Sequence, residues 1–238
     1  MDMKKRIWEL DALRGLCILG MVVVHFVYDL VELYGLIEWE YPPLFTFVQQ
    51  WGGVLFLLIS GICVTLGSHC IRRGILVFLC GMLITAVTAG MYFLGMAGSG
   101  VIIYFGVLHC LGICMLLWPL FRKLPNWALA GIGAILAVTG LLLTNVPVSH
   151  NWLMPLGLTG PHFVSADYFP LLPHLGFFLL GAFLGKTLYR KQQSLLPKVN
   201  PEILPLRFLR LCGRHSLWIY LLHQPILSGI LWLILMFP

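Results

Sequence analysis

The sequence predicts an all-α integral membrane protein, a bundle of about seven transmembrane helices with the N-terminus cytoplasmic and the C-terminus extracytoplasmic. Three observations predict it. Of the 238 residues, 60% are hydrophobic and only 10% charged, against roughly a quarter charged in soluble domains, so a water-facing surface cannot be built from this inventory. Mean hydropathy is +0.93. The basic residues, finally, fall in alternate connections between the apolar runs.

A spanning helix needs about 20 mostly apolar residues, because backbone groups in lipid must be satisfied within the helix. Seven runs qualify: Leu13–Leu36, Leu44–Leu66, Ile71–Leu94, Val101–Phe121, Trp127–Asn145, Leu172–Leu188 and Leu217–Phe237. Lys4, Lys5 and Arg6 precede the first run, with Arg14 at its start. Arg72 and Arg73 follow the second, Arg122 and Lys123 the fourth. Lys186, Arg190, Lys191, Lys198, Arg207, Arg210 and Arg214 lie between the sixth and seventh. All 15 basic residues therefore fall on one side, which the positive-inside bias makes cytoplasmic. The pattern also supports an odd number of crossings. A cleaved signal peptide is a poor reading of the first run, which is too long and contains Asp29 and Glu32.

The spans consume nearly the whole chain, so residues 1–238 read as one transmembrane domain. Val146–Pro170 reads as a structured outer loop, and Arg190–Arg210 as a basic, Pro-punctuated inner one. No duplicated set of helices is visible. The seven cysteines sit mostly inside apolar runs and give no disulfide framework. The only close His/Cys group is His109, Cys110 and Cys114. Neighbours on a helix point different ways, so no metal is expected. The expected partner is the lipid bilayer of a plasma or inner membrane. No nucleic-acid partner is expected, and the apolar helices offer surfaces for a homodimer.

Ionisable groups inside a membrane usually face the bundle interior or a wetted cavity. In the first run Arg14, His25, Asp29 and Glu32 are spaced by eleven, four and three residues. At 100° per residue they share one narrow stripe. His25 stands about 16 Å above Arg14, near the middle of the hydrocarbon core. Asp29, one turn on, is placed to orient it. His109, His174 and His223 recur at mid-span in other helices. Each could be a hydrogen-bonded structural histidine; together they outline a polar chamber. Gly181-Ala182-Phe183-Leu184-Gly185 is a small-residue packing pattern.

The opening Glu9-Leu10-Asp11-Ala12-Leu13-Arg14-Gly15-Leu16, with His25-Phe26-Val27-Tyr28-Asp29-Leu30, resembles a known family. So do Phe105-Gly106-Val107-Leu108-His109, Asp167-Tyr168-Phe169-Pro170-Leu171-Leu172-Pro173 and the run from Gly213 to Pro225. The likeness is to the heparan-α-glucosaminide N-acetyltransferase-like transmembrane acyltransferases, in their short bacterial branch, and more distantly to the acyltransferase type 3 family. It implies an enzyme that moves an acetyl group from cytoplasmic acetyl-CoA to an amino sugar, glycan or small-molecule acceptor across the membrane. The lysosomal relatives carry a catalytic histidine in their first non-cytoplasmic loop, and Ile37–Pro43 contains none. The role passes to His25 by analogy with the histidine ending the matching motif of the type 3 relatives.

On that reading His25, oriented by Asp29, deprotonates the acceptor, and His109 or His223 contacts the oxyanion. An acetyl-histidine intermediate is an open variant. Arg14, Arg72, Arg73 and Arg214 are the expected contacts of polyanionic CoA. Asp167, Tyr168, His174 and Glu32 are the expected acceptor-binding residues. The alternative class is a small-solute transporter or channel, which also uses midplane histidines and broken helices.

Overall fold

The computed structural model of the chain describes residues 6–143, 146 and 148–236. The expected ends of the fifth and seventh spans, Asn145 and Phe237, and the basic residues Lys4 and Lys5 lie outside them. Eight α-helices follow one another among the described residues: α1 (Trp8–Tyr28), α2 (Pro43–Leu66), α3 (Cys70–Phe93), α4 (Val107–Phe121), α5 (Asn126–Leu143), α6 (Leu171–Leu188), α7 (Leu204–Arg214) and α8 (Ser216–Met236). Six are long and apolar enough to cross a membrane: α1 with its C-terminal extension, α2, α3, α5, α6 and α8. These are the expected spans to within a few residues at each end.

Three elements differ from the sequence reading. The fourth span is shorter than expected, since Val101 closes a 3-10 turn and helix begins only at Val107. Its 15 residues reach about 22 Å, less than a hydrocarbon core of about 30 Å. The basic inner segment is not all loop, because Leu204–Arg214 forms α7. Finally, α1 ends in a π-helical segment, Asp29–Leu33, closed by the Tyr34 N–H on the Asp29 carbonyl at 2.9 Å. A π turn holds more residues than an α turn, so the 100° arithmetic fails beyond Asp29. Glu32 leaves the stripe and stands exposed, accepting a 3.2 Å hydrogen bond from the Tyr41 hydroxyl.

The chain divides into two compact units, Met1–Phe56 with Gln192–Pro238, and Leu57–Lys191. In the first, α1 packs on α7 and α8. The α1–α7 crossing brings backbones together: a Cβ on Gly15 would overlap the Leu209 carbonyl, and one on Gly213 the Asp11 carbonyl. Charge is buried at this joint. Asp11 forms ion pairs with Arg14 at 3.1 Å and Arg214 at 3.6 Å, and Glu9 accepts the Leu195 N–H at 2.7 Å.

In the second unit, α5 packs on α6 and α3 on α4. The small residues of α6 serve packing. Gly181 lies against the Leu58 carbonyl and Gly185 against Thr65, both on the C-terminal half of α2, while Gly176 meets the backbone of Ala137 on α5. Without a hydrophobic drive between helices in lipid, such backbone approach supplies the dispersion contact that holds them.

Candidate active site

The polar stripe of α1 meets α8 in two rungs. In the first, the His25 and His223 rings lie edge to face with centroids 4.8 Å apart. In the second, the Gln224 amide donates to both oxygens of Asp29, each at 2.9 Å. Asp29 is 1% exposed and His223 9% exposed, while His25 is half-buried. The i, i+4 spacing of His25 and Asp29 puts both on the face of α1 that these rungs use.

The backbone sets the tautomer of both imidazoles. His25 Nδ1 lies 2.9 Å from the Met21 carbonyl, and His223 Nδ1 lies 2.6 Å from the Tyr220 carbonyl. A carbonyl only accepts, so each Nδ1 carries the hydrogen and each neutral ring keeps its lone pair on Nε2. His223 Nε2 is buried without a protein partner among the described residues. Two readings of the sequence change here. Asp29 is held by Gln224, and the orienting bond on His25 comes from Met21. A lone-pair Nε2 on His223 suits a proton acceptor, whereas an oxyanion needs a donor. In α8, Pro225 lacks the N–H that would bond the Leu221 carbonyl, which interrupts the helical ladder in the same turn that carries His223 and Gln224.

Gln224 is the residue that reading the sequence passed over. The available signal was an amide beside a mid-span histidine in an apolar run, which must find a buried polar partner. Asp29 is that partner.

The other expected residues have definite places. His109, 3% exposed, has both ring nitrogens engaged. The Gly106 N–H donates to Nδ1 at 3.2 Å, so Nε2 donates to the Thr85 hydroxyl at 3.3 Å, which in turn donates to the Ile103 carbonyl. Its neighbour Cys110 turns instead towards the Pro170 carbonyl. Asp167 accepts the Val107 N–H at 3.0 Å, at the N-terminus of α4 where orphan N–H groups and the helix dipole favour a carboxylate. The Tyr168 hydroxyl donates to the Met154 carbonyl at 2.6 Å, and burial pushes this phenol up to about 12. His174 Nδ1 bonds the Pro170 carbonyl at 2.7 Å, and its ring leans on Phe169.

The expected CoA arginines divide between the two units. Arg14 and Arg214 share Asp11 in the first. In the second, Arg72 lines a cavity of about 510 Å³ with Arg122, His69, Cys70, Ile71 and Ile75, at the N-terminus of α3. The Arg73 guanidinium lies against Gly67. Among the described residues no three His, Cys, Asp or Glu side chains gather as metal ligands.

The sequence profile of the family described as heparan-alpha-glucosaminide N-acetyltransferase, catalytic, matches residues 6–225. The chain belongs to this family. The match takes in both rungs of the α1–α8 contact, up to Gln224, and the arginine-lined cavity of the second unit. Membership together with six spanning helices makes the protein a multi-pass membrane acetyltransferase in general class. No curated protein and no solved structure matches the chain.

Proposed function

We propose that the protein takes an acetyl group from cytoplasmic acetyl-CoA and gives it to the amino group of an amino sugar, or to a related glycan or small-molecule acceptor, on the outer side of a plasma or inner membrane. The single observation that carries this reading is the His25–His223 pair, with both Nδ1 atoms tied to carbonyls and both Nε2 atoms left to accept a proton. The charge distribution supports placing the basic side of the chain in the cytoplasm.

In the reaction, the acceptor nitrogen attacks the thioester carbonyl carbon. The new C–N bond forms as the C–S bond breaks, and the sulfur leaves with the bonding electron pair. His25 Nε2 takes the N–H proton, with His223 beside it as the second proton site, and the proton passes on to the leaving thiolate. Each imidazole is held for this by a backbone carbonyl, so no reorientation precedes proton transfer. The Gln224–Asp29 rung fixes α1 to α8 one turn from the reacting pair.

The cavity beside Arg72 and Arg122 suits the phosphates of the co-substrate. Two guanidiniums and the first-turn N–H groups of α3 are donors for phosphate oxygens. Arg14 and Arg214, engaged with Asp11, hold the α1–α7 joint.

The test uses the full chain in vesicles, with radiolabelled acetyl-CoA and amino-sugar acceptors. Wild-type protein should transfer label to the acceptor, His25→Ala and His223→Ala should lose most of kcat, and Arg72→Gln should raise KM for acetyl-CoA. Undiminished transfer by the protein lacking both imidazoles would overturn the reading. Uptake of acceptor without acetylation would favour a carrier.

A further inference from the structure

Acetyl transfer makes no use of α7 beyond its packing on α1, yet α7 has a surface of its own. Pro205 sits in its first turn, where a missing N–H costs nothing. At 100° per residue its 11 residues divide into three faces. Leu209, Cys212 and Gly213 turn to α1, where Gly213 and the Leu209 carbonyl make the close backbone approach. Leu204, Phe208 and Leu211, spaced by four and three, share an arc of about 60° and are 79%, 55% and 54% exposed. Arg207, Arg210 and Arg214 fill the arc beside them.

The three arginines are not equivalent. Arg210 donates to Glu202 at 2.6 Å and to the Pro201 carbonyl at 2.8 Å, and Arg214 reaches Asp11. Arg207 is exposed and makes no ion pair among the described residues. Only His215 separates α7 from α8, a spanning helix that begins at Ser216. That single residue tethers α7 to the level at which the bilayer starts. An apolar arc flanked by a cationic one, at that level, matches the acyl boundary and the anionic headgroups of a leaflet in both polarity and charge.

We propose that α7 is an interfacial helix that binds anionic phospholipid, with Leu204, Phe208 and Leu211 seated in the acyl boundary and Arg207 on the headgroup phosphate. The lipid then covers the exposed apolar arc of α7 and the neighbouring Arg207, and it bears on the α1–α7 joint that anchors the opening helix.

Two measurements on the full-length protein test this. In the first, the melting temperature of detergent-purified protein is titrated with phosphatidylglycerol, phosphatidylcholine or inorganic phosphate. Phosphatidylglycerol should raise it saturably, and the other two should not at equal concentration. Arg207→Gln should need about fivefold more phosphatidylglycerol, as loss of one cation at a membrane surface implies, and Arg207→Lys should restore most of the response. In the second, a photoreactive benzoylphenylalanine replaces Phe208 in an otherwise wild-type chain, irradiated in native-like membranes. A phospholipid adduct is expected. An equal response of wild type and Arg207→Gln, reproduction of the effect by inorganic phosphate, or adducts only to a second copy of the chain would each overturn the proposal.

Discussion

Removing the Asp167 carboxylate separates two roles that the residue could play. Its Oδ2 accepts the Val107 N–H at 3.0 Å, and a side chain on Gly106 would collide with it. This carboxylate therefore closes the first turn of α4, the helix that carries His109. A hydrogen bond to a charged group contributes about 1.5–3 kcal/mol, and loss of a helix cap about 0.5–2 kcal/mol. Asp167→Ala should accordingly destabilise the protein by about 2 kcal/mol, a fall in melting temperature of roughly 4–8 °C for a chain of this size. Asp167→Asn keeps an acceptor oxygen and loses only the charge at the helix N-terminus, about 0.3–1 kcal/mol. Thermal melting of both variants, alongside KM for the acceptor at a temperature where each is folded, is the assay. The capping account predicts that Asn recovers most of the stability and that neither variant changes KM more than about twofold. A tenfold rise in KM for Asp167→Asn with an unchanged melting temperature would refute it and return Asp167 to acceptor binding.

Three further outcomes follow from the same geometry. If His25 and His223 act as one proton-accepting unit, each alanine variant should lose about 10²–10⁴ in kcat/KM, and the double variant should lose little more than the worse single; losses that multiply would show independent roles. Gly213→Ala puts a Cβ onto the Asp11 carbonyl, which cannot yield without moving α1, so overpacking should cost about 1–3 kcal/mol, read as a lower melting temperature. Tyr168→Phe should cost about 0.5–1.5 kcal/mol at neutral pH. The phenol is pushed up to about 12 in the folded chain, from about 10 unfolded, so its contribution is full below pH 10 and disappears as pH rises through 12. The difference between Tyr168→Phe and wild type should therefore be the same at pH 7 and pH 9.

Much of the helical layout was legible because apolar runs bounded by charge leave few alternatives in lipid. What escaped the sequence was set by tertiary partners. The start of α4 depends on Asp167, 60 residues away, and no local pattern in Val101–Gly106 announces it. Helix α7 was hidden by its own arginines, which lower its hydropathy although their spacing is amphipathic. As far as Tyr28, α1 is the regular α-helix that the 100° spacing assumes. Beyond it the π segment rotates the chain and carries Glu32 away, a change that 3.6-residue arithmetic cannot anticipate. The pairing of side chains between α1 and α8 was not legible, and neither was the part Gln224 plays in it. Asp29 was expected to orient His25, whereas its hydrogen-bond partner is Gln224 on α8, 195 residues on, and the His25 ring meets His223.

The most direct measurement is a structure of the full chain with a CoA thioether analogue and an amine acceptor bound together. The account predicts the acceptor nitrogen within about 3 Å of Nε2 on His25 or His223, directly or through one water. An acceptor seated elsewhere, with both Nε2 atoms facing lipid or closed off from it, would contradict the account.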